Sequence, residues 1–171
     1  FDLLIVDDGS PDGTASLVKQ LQADYPERLH LIEREGKLGL GTAYIAGFRF
    51  ALDRGYDRIF EMDCDFSHNP DDLTRLDAML EERDLAIGSR YITRMPVCDA
   101  TAGFVGYRRE VLDAIDFDRV QMNGYGFQIE MKYSAWRLGY KIGEVSIIFI
   151  DRVEGTSKMS SGIFGEAFFG V

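Results

Sequence analysis

Short apolar runs that end in acidic or glycine-rich turns recur along this chain, and stretches of helical periodicity separate them. The runs occupy residues 3–6, 29–32, 58–62 and 85–88 and predict strands. Those at 3–6 and 85–88 are typical of buried strands. Helices are predicted over about residues 14–23 and from the glycine-rich residues 36–41 to residues 54–55. A third is predicted to be capped by Asn69 and opened by Pro70, with Leu73, Leu76 and Leu80 on one face. This alternation predicts an α/β fold, an open and mostly parallel sheet flanked by helices.

The alternation weakens after residue 88. An irregular stretch there leads to helices predicted near residues 109–114 and 127–138, and to a strand over residues 141–150. The chain has 171 residues, of which 46% are hydrophobic, and it contains no internal repeat. We therefore expect a single domain over residues 1–171 with a substantial core.

The charge balance excludes one large class of partners. The formal net charge is −10, so no basic surface is available to bind nucleic acid through its phosphates. An anionic ligand would need a few placed Arg and Lys side chains or a metal ion.

Cysteine content and hydropathy bear on location. The two cysteines, Cys64 and Cys98, lack the number and spacing of a disulfide scaffold or a zinc site, which favours a reducing, cytosolic setting. No window approaches 18 uninterrupted apolar residues, so no membrane span is predicted. The first strand is expected to be entered midway, and the apolar residues 162–171 are expected to contact a membrane or to lead into an anchor.

A D-x-D pair, Asp63 and Asp65, follows the predicted strand at residues 58–62. Two carboxylates at a strand end suit Mg²⁺ or Mn²⁺, which fills its remaining positions with water and substrate phosphate. The alternative is a solvated, turn-forming acidic pair. A second acidic pair, Asp7 and Asp8, lies at another strand end and favours the metal site. Residues 7–13 are also typical of a turn, in which Asp12 or Thr14 could cap the next helix.

Basic residues near predicted strand ends are candidate phosphate ligands in this acidic chain, with ordinary surface exposure as the alternative: Arg90, Arg152 and Lys158. The glycine-rich residues 36–41 do not form a Walker loop. Both histidines, His30 and His68, are interpreted as structural, and an aromatic set is assigned to the core: Phe117, Tyr125, Phe127, Tyr133, Trp136 and Tyr140. The lack of a G-x-S-x-G motif argues against covalent hydrolase chemistry.

Six motifs in order resemble the polyprenol (dolichol) phosphate mannose synthases: residues 6–14, 37–43, 63–70, 88–91, 101–104 and 152–158. These enzymes are inverting family 2 glycosyltransferases of GT-A fold. The resemblance implies transfer of mannose from GDP-mannose to polyprenyl phosphate with Mg²⁺ or Mn²⁺. It also implies work at the cytoplasmic face of a membrane, by a protein that is peripheral or anchored through a segment outside this chain.

The resemblance also carries roles for individual positions. Val6 and Asp8 match guanosine contacts, Lys37 lies in a motif of the nucleotide site, and Asp63 and Asp65 match the pair that holds the metal on the donor diphosphate. At Ser67 the family often has Gln as a further metal contact, and the shorter Ser is expected to reach the metal through water. Positions near the phosphates are matched by Arg90, Arg152 and Lys158, and the catalytic set implied is Asp65, Arg90 and Arg152.

Two departures from the family stand out. Its first strand and Pro-x-x-Asn-Glu loop are absent before Phe1, and its longer acceptor loop between Arg90 and Asp99 is shortened here, so we expect that Thr93 and Arg94 are not true neighbours.

Several alternatives remain open at this point. The same fold could transfer glucose from UDP-glucose, or another sugar, to the same lipid. A receiver module, which also places acidic residues and Mg²⁺ at strand ends, and a non-catalytic nucleotide-binding module belong to other classes. The lipid phosphate would need no general base, because its second pKa is about 6.

Overall fold

The structure, a computed structural model, describes residues 1–89, 99–122, 124 and 126–149. Its strands are β1 (Leu3–Asp7), β2 (Leu29–Glu33), β3 (Arg58–Glu61), β4 (Leu85–Ser89), β5 (Val105–Arg108) and β6 (Ile142–Ser146). Its α-helices are α1 (Thr14–Gln22), α2 (Leu40–Asp53), α3 (Leu73–Met79), α4 (Arg109–Ala114) and α5 (Gly126–Arg137). Single 3-10 turns cover Pro70–Asp72 and Phe117–Arg119.

The strands form two groups. β1 and β2 pair in parallel, from Leu3 opposite Leu29 to Asp7 opposite Glu33. The other four strands lie in the order β3-β5-β4-β6, in which β4 and β6 are parallel. The α/β prediction is confirmed, and the predicted strand at residues 141–150 is observed as the shorter β6.

Strand β5 was not predicted, and it runs antiparallel to both of its neighbours, β3 and β4. It has only four residues, and the second of them is a glycine. A Cβ at Gly106 would lie 2.6 Å from the Phe60 ring on β3, so the ring occupies the space that a side chain would need. The strand is thus specified by long-range pairing, which a local hydrophobic pattern does not show.

The start of α3 follows from its sequence. The Asn69 side chain accepts a hydrogen bond from the Asp71 N–H at 3.1 Å, and Pro70 occupies the first position of the preceding turn. Leu76 and Leu80 then fall on the buried face. This confirms the predicted cap and helix.

The four-stranded sheet is covered on both faces. Along β4, Leu85 and Ile87 pack with Phe48 and Phe127 in one hydrophobic cluster, whereas Ala86 packs in a second one with Leu76, Leu80 and Phe104. Successive side chains of a strand point to opposite faces, so the run of apolar residues reflects burial on both sides.

Two of the aromatic residues assigned to the core are not there. Tyr133 and Trp136 are 42% and 60% exposed, because they lie on the outer face of α5 and pair with each other. Phe127 is fully buried, and Phe117 and Tyr140 are partly buried against the core, while Tyr125 lies outside the described residues.

Both histidines, interpreted as structural, pack against aromatic rings. His30 packs on Phe50, and His68 is buried beside the rings of Phe104 and Phe149. Among the helices of the described ranges, none has both the length and the apolar character needed to cross a bilayer.

Candidate active site

The D-x-D pair lies in the loop that leaves the end of β3. Asp63 and Asp65 are both half-buried, and the next residues, Ser67 and His68, are buried. The Ser67 N–H and hydroxyl donate hydrogen bonds to Asp65 Oδ1 at 3.1 and 2.5 Å. This local turn fixes the orientation of the Asp65 carboxylate. The Ser67 hydroxyl thus acts on Asp65, and its predicted contact with a metal remains a prediction.

Tyr44 orients the other carboxylate. Its hydroxyl, presented by the first turn of α2, donates a hydrogen bond to Asp63 Oδ1 at 3.0 Å. Burial raises the pKa of the Tyr44 hydroxyl, and the nearby carboxylates of Glu61 and Asp63 raise it further. Tyr44 therefore stays a proton donor. No local sequence pattern indicates this role of Tyr44, because the contact exists only once α2 packs beside the end of β3.

The backbone at Gly103 lies close to the Asp63 carboxylate. A Cβ added at Gly103 would lie 3.5 Å from Asp63 Oδ2, an ordinary van der Waals distance. The Asp63 carboxylate is thus close both to the Tyr44 hydroxyl and to the backbone at Gly103. Glu61, also missed from the sequence, is buried beneath the pair, and the Tyr107 hydroxyl donates a hydrogen bond to it at 3.2 Å. Burial raises the pKa of Glu61, an effect that nearby Lys132 opposes.

The acidic pair after β1 is built differently. Asp7 Oδ2 accepts hydrogen bonds from the N–H groups of Gly9 and Ser10, both at 3.1 Å, so this residue shapes the turn. Arg34 binds both oxygens of Asp8, Nε to Oδ1 at 2.5 Å and a terminal nitrogen to Oδ2 at 2.6 Å. Any nucleotide contact made by Asp8 would therefore involve the Asp8–Arg34 pair. No sequence motif indicates Arg34.

Asp12 does not cap α1, because the N-cap residue is Gly13 and no side-chain cap hydrogen bond is formed. Asp12 instead orders the turn just before the helix. Its Oδ1 accepts hydrogen bonds from the N–H and the hydroxyl of Thr14, at 3.0 and 2.6 Å, where α1 begins. These bonds lower the pKa of Asp12.

The first turn of α2 connects the two acidic clusters. Thr42 accepts a hydrogen bond from Arg34, the partner of Asp8, at 2.8 Å. Two residues further along, Tyr44 binds Asp63. One helical turn thus contacts both the Asp8–Arg34 pair and the D-x-D loop.

The remaining predicted site residues divide into two groups. Val6 is half-buried in β1 against α2, and Lys37 is exposed in the glycine-rich loop before α2. Outside the described residues lie the three predicted phosphate ligands and the shortened acceptor loop, that is, Arg90, Arg152, Lys158 and the junction of Thr93 and Arg94.

The donor set at the D-x-D loop fits one class of metal. In the part of the chain that the structure describes, no group of three or more His, Cys, Asp and Glu side chains surrounds a common point. Two oriented carboxylates suit Mg²⁺ or Mn²⁺, which takes one or two carboxylates and completes its shell with water and phosphate oxygens.

Comparison with known proteins gives consistent matches. The model of glycosyl transferase family 2 matches residues 1–97. An undecaprenyl-phosphate mannosyltransferase of Micrococcus luteus is 42% identical over 196 aligned positions, which cover 99% of this chain and 80% of that protein. A polyprenol monophosphomannose synthase of Mycolicibacterium smegmatis is also 42% identical, over 99% of this chain and 74% of that protein.

Solved structures show the same fold at low sequence identity. The mannosyltransferase PcManGT from Pyrobaculum calidifontis, in complex with GDP-Man and Mn²⁺, has a TM-score of 0.63 at 17% identity, over 90% of this chain. The glucosyl-3-phosphoglycerate synthase of Mycobacterium tuberculosis, in complex with Mn²⁺ and UDP-glucose, has a TM-score of 0.64 at 21% identity, over 96% of this chain. The chain spans 48% and 63% of the lengths of these two proteins.

These structures establish the GT-A architecture, and the two relatives at 42% identity confirm the resemblance that the six motifs indicated. The chain belongs to glycosyl transferase family 2, and it is a hexosyltransferase of the polyprenol phosphate mannose synthase type.

Proposed function

We propose that this chain transfers mannose from GDP-mannose to a polyprenyl phosphate, with Mg²⁺ or Mn²⁺ held by Asp63 and Asp65. The observation that carries the proposal is the oriented carboxylate pair at the end of β3, in a chain 42% identical to proteins named as mannosyltransferases of undecaprenyl phosphate and polyprenol. Transfer of a sugar to a polyprenyl phosphate is the general activity that these relatives support. Mannose, GDP and the metal are the finer part of the proposal.

The residues of the D-x-D loop have separate roles in this proposal. Asp63 and Asp65 hold the cation, and Tyr44 and Ser67 orient their carboxylates. When bound, the cation neutralises the donor diphosphate and stabilises the charge that grows on it as the sugar leaves. Ser67 is proposed to reach the metal only through water.

The nucleoside is proposed to lie beside the end of β1. Val6 and the Asp8–Arg34 pair are placed there, and the first turn of α2 holds this pair next to the D-x-D loop through Thr42 and Tyr44. Lys37, in the loop before α2, is proposed as a further nucleotide contact. The proposed phosphate ligands on the donor and acceptor are Arg90, Arg152 and Lys158.

The acceptor phosphate serves as the nucleophile without a general base, since it is largely dianionic near neutral pH. The role of the protein is to position it in line with the bond that breaks. A single displacement of this kind inverts the anomeric centre. Because the acceptor carries a lipid tail, we place the reaction at a membrane surface, on its cytoplasmic face.

Replacing Asp65 by Asn tests this assignment. The amide keeps an oxygen that can accept the Ser67 hydrogen bonds but removes the charge that binds the cation. We expect Asp65→Asn to lose transfer by about 100-fold or more, since charge stabilisation by a metal contributes several kcal/mol. Transfer is measured as labelled mannose incorporated into lipid.

The matched control is Asp24→Asn, the same chemical change at an exposed turn position after α1, which should leave transfer unchanged. Full turnover by folded Asp65→Asn protein would show that Asp65 does not hold the metal.

A further inference from the structure

A lysine lies buried beneath the candidate active site. Lys132, on α5, is only 3% exposed. Its ammonium donates hydrogen bonds to the carbonyl oxygens of Ala100 and Ala102, at 3.0 and 2.7 Å, and to Gln128 Oε1 at 3.3 Å. An ammonium has three N–H donors, so these contacts use all of them. Two of the three bonds go to one short segment of backbone, residues 99–103.

This segment contacts the D-x-D loop directly. Gly103 approaches Asp63 so closely that a Cβ there would lie 3.5 Å from Oδ2. At the other end of the segment, the Asp99 N–H donates to Glu144 Oε1 of β6 at 3.2 Å. Lys132 binds the segment between these two points. Lys132 is thus linked to Asp63 through the backbone, because it binds Ala102 and the next residue, Gly103, lies beside Asp63.

The surroundings of Lys132 are strongly acidic. Burial lowers the pKa of its ammonium, while the carboxylates of Glu61, Asp99 and Glu144 raise it. Burying a charged ammonium is costly, and an apolar side chain of similar length would avoid this cost. A lysine at this position therefore lowers the stability of the folded state relative to an apolar side chain, which points to a role beyond packing.

We propose that Lys132 is a positioning residue for the metal and nucleotide site, which holds residues 99–103 against Asp63 so that this carboxylate keeps its binding orientation. The inference rests on the proposed function, because it takes Asp63 to be a metal ligand. It concerns a residue that does not itself touch the metal or the substrates.

The test is binding of Mn²⁺ in the presence of GDP by the full chain. The electron paramagnetic resonance signal of free Mn²⁺ falls as the ion is bound, so the affinity is read without any sugar transfer. We expect Lys132→Met to weaken Mn²⁺–GDP binding by about 10-fold or more, because mutating a residue that positions a metal ligand typically costs this much affinity. Its fold is checked in parallel by circular dichroism.

The matched control is Lys19→Met. Lys19 is an exposed lysine of α1 that pairs with Glu33 at 2.7 Å, and its loss should leave Mn²⁺–GDP binding unchanged. A folded Lys132→Met protein with the affinity of the wild type would overturn the inference and leave the proposed function intact. A wild-type chain that does not bind Mn²⁺–GDP would overturn the proposed function, and this inference with it.

A second measurement covers the case in which Lys132→Met does not fold. In the wild type, Mn²⁺–GDP should slow hydrogen exchange of the backbone amides of residues 99–103, because a bound ion on Asp63 restricts opening of the segment that Lys132 holds there. Unchanged exchange in this segment at saturating Mn²⁺–GDP would overturn the inference.

Discussion

At the scale of single residues, the site depends on how the D-x-D carboxylates are oriented. Asp65 is held by a turn that lies within its own loop, through Ser67. Asp63 is held from outside that loop, by Tyr44 and by the backbone at Gly103. Phe66, between Asp65 and Ser67, adopts a left-handed conformation with φ 62°, and it is the one non-glycine residue with positive φ in the described ranges.

Removing the Tyr44 hydroxyl should loosen Asp63 without disturbing the packing of the ring. Tyr44→Phe keeps the stacking on Phe127 at 5.7 Å and deletes only the donor to Asp63. We expect Mn²⁺–GDP affinity to fall by about 10-fold with little change in stability, as measured by Mn²⁺ titration and thermal unfolding. Tyr133→Phe, at an exposed tyrosine of α5, is the control, and equal affinities in the two variants would contradict this role.

The conformation of Phe66 predicts an unusual response to glycine. The side chain is 91% exposed, so its removal costs little burial, and glycine adopts positive φ without strain. We expect Phe66→Gly to be neutral or up to about 1 kcal/mol more stable in urea unfolding.

Leu38→Gly is the comparison, because Leu38 is also an exposed apolar loop residue, 66% exposed, but does not have positive φ. This change should cost roughly 0.5–1 kcal/mol through chain entropy. The same loss in both variants would contradict a strained Phe66.

At the scale of elements, helix α2 places the site. Its first turn contacts the Asp8–Arg34 pair through Thr42 and the D-x-D loop through Tyr44. The same turn lies against α5 and the residues before it. A Cβ at Gly41 would lie 2.8 Å from both the Met122 carbonyl oxygen and Phe127 Cδ2. The close approach of α2 therefore depends on glycine at this position.

Two glycines of α2 should respond oppositely to alanine. The methyl group of Gly41→Ala would clash with the Met122 carbonyl oxygen and the Phe127 ring, so we expect the free energy of unfolding to fall by about 1–3 kcal/mol. At Gly47 the nearest atoms to an added Cβ are Leu4 Cδ2 at 3.7 Å and Val6 Cγ2 at 3.9 Å, so there is room. Gly47→Ala should gain up to about 1 kcal/mol from helix propensity. Chemical unfolding of both variants measures these changes, and a neutral Gly41→Ala would contradict the packing.

The elements show what local patterns can and cannot predict. The cap at Asn69, the buried leucines of α3 and the buried run of β4 follow from the spacing of residues, and all three were predicted correctly. Strand β5 was missed because its pairing is long-range and its glycine is required by Phe60, in a different strand.

The same limit applies to the site. The D-x-D pair could be predicted because Asp63 and Asp65 are only two positions apart in the sequence, at a strand end. Tyr44, Arg34 and Lys132 could not be found, because each meets its partner only after helices and strands have packed. Lysine is usually found at the protein surface, so its residue type gives no reason to expect Lys132 in the core.

At the scale of the whole molecule, an acidic chain is proposed to bind two anionic substrates. Its net charge of −10 opposes their approach, and a divalent cation on Asp63 and Asp65 would reverse the charge locally. We therefore expect activity to require the metal.

Transfer of labelled mannose from GDP-mannose to polyprenyl phosphate, with and without Mn²⁺ or Mg²⁺ and with UDP-glucose in parallel, tests this most directly. We expect a mannosylated lipid that forms only when the metal is present. Product formed only from UDP-glucose would contradict the proposed donor and keep the mechanism, and equal transfer after removal of the metal with a chelator would contradict the central role of the D-x-D pair.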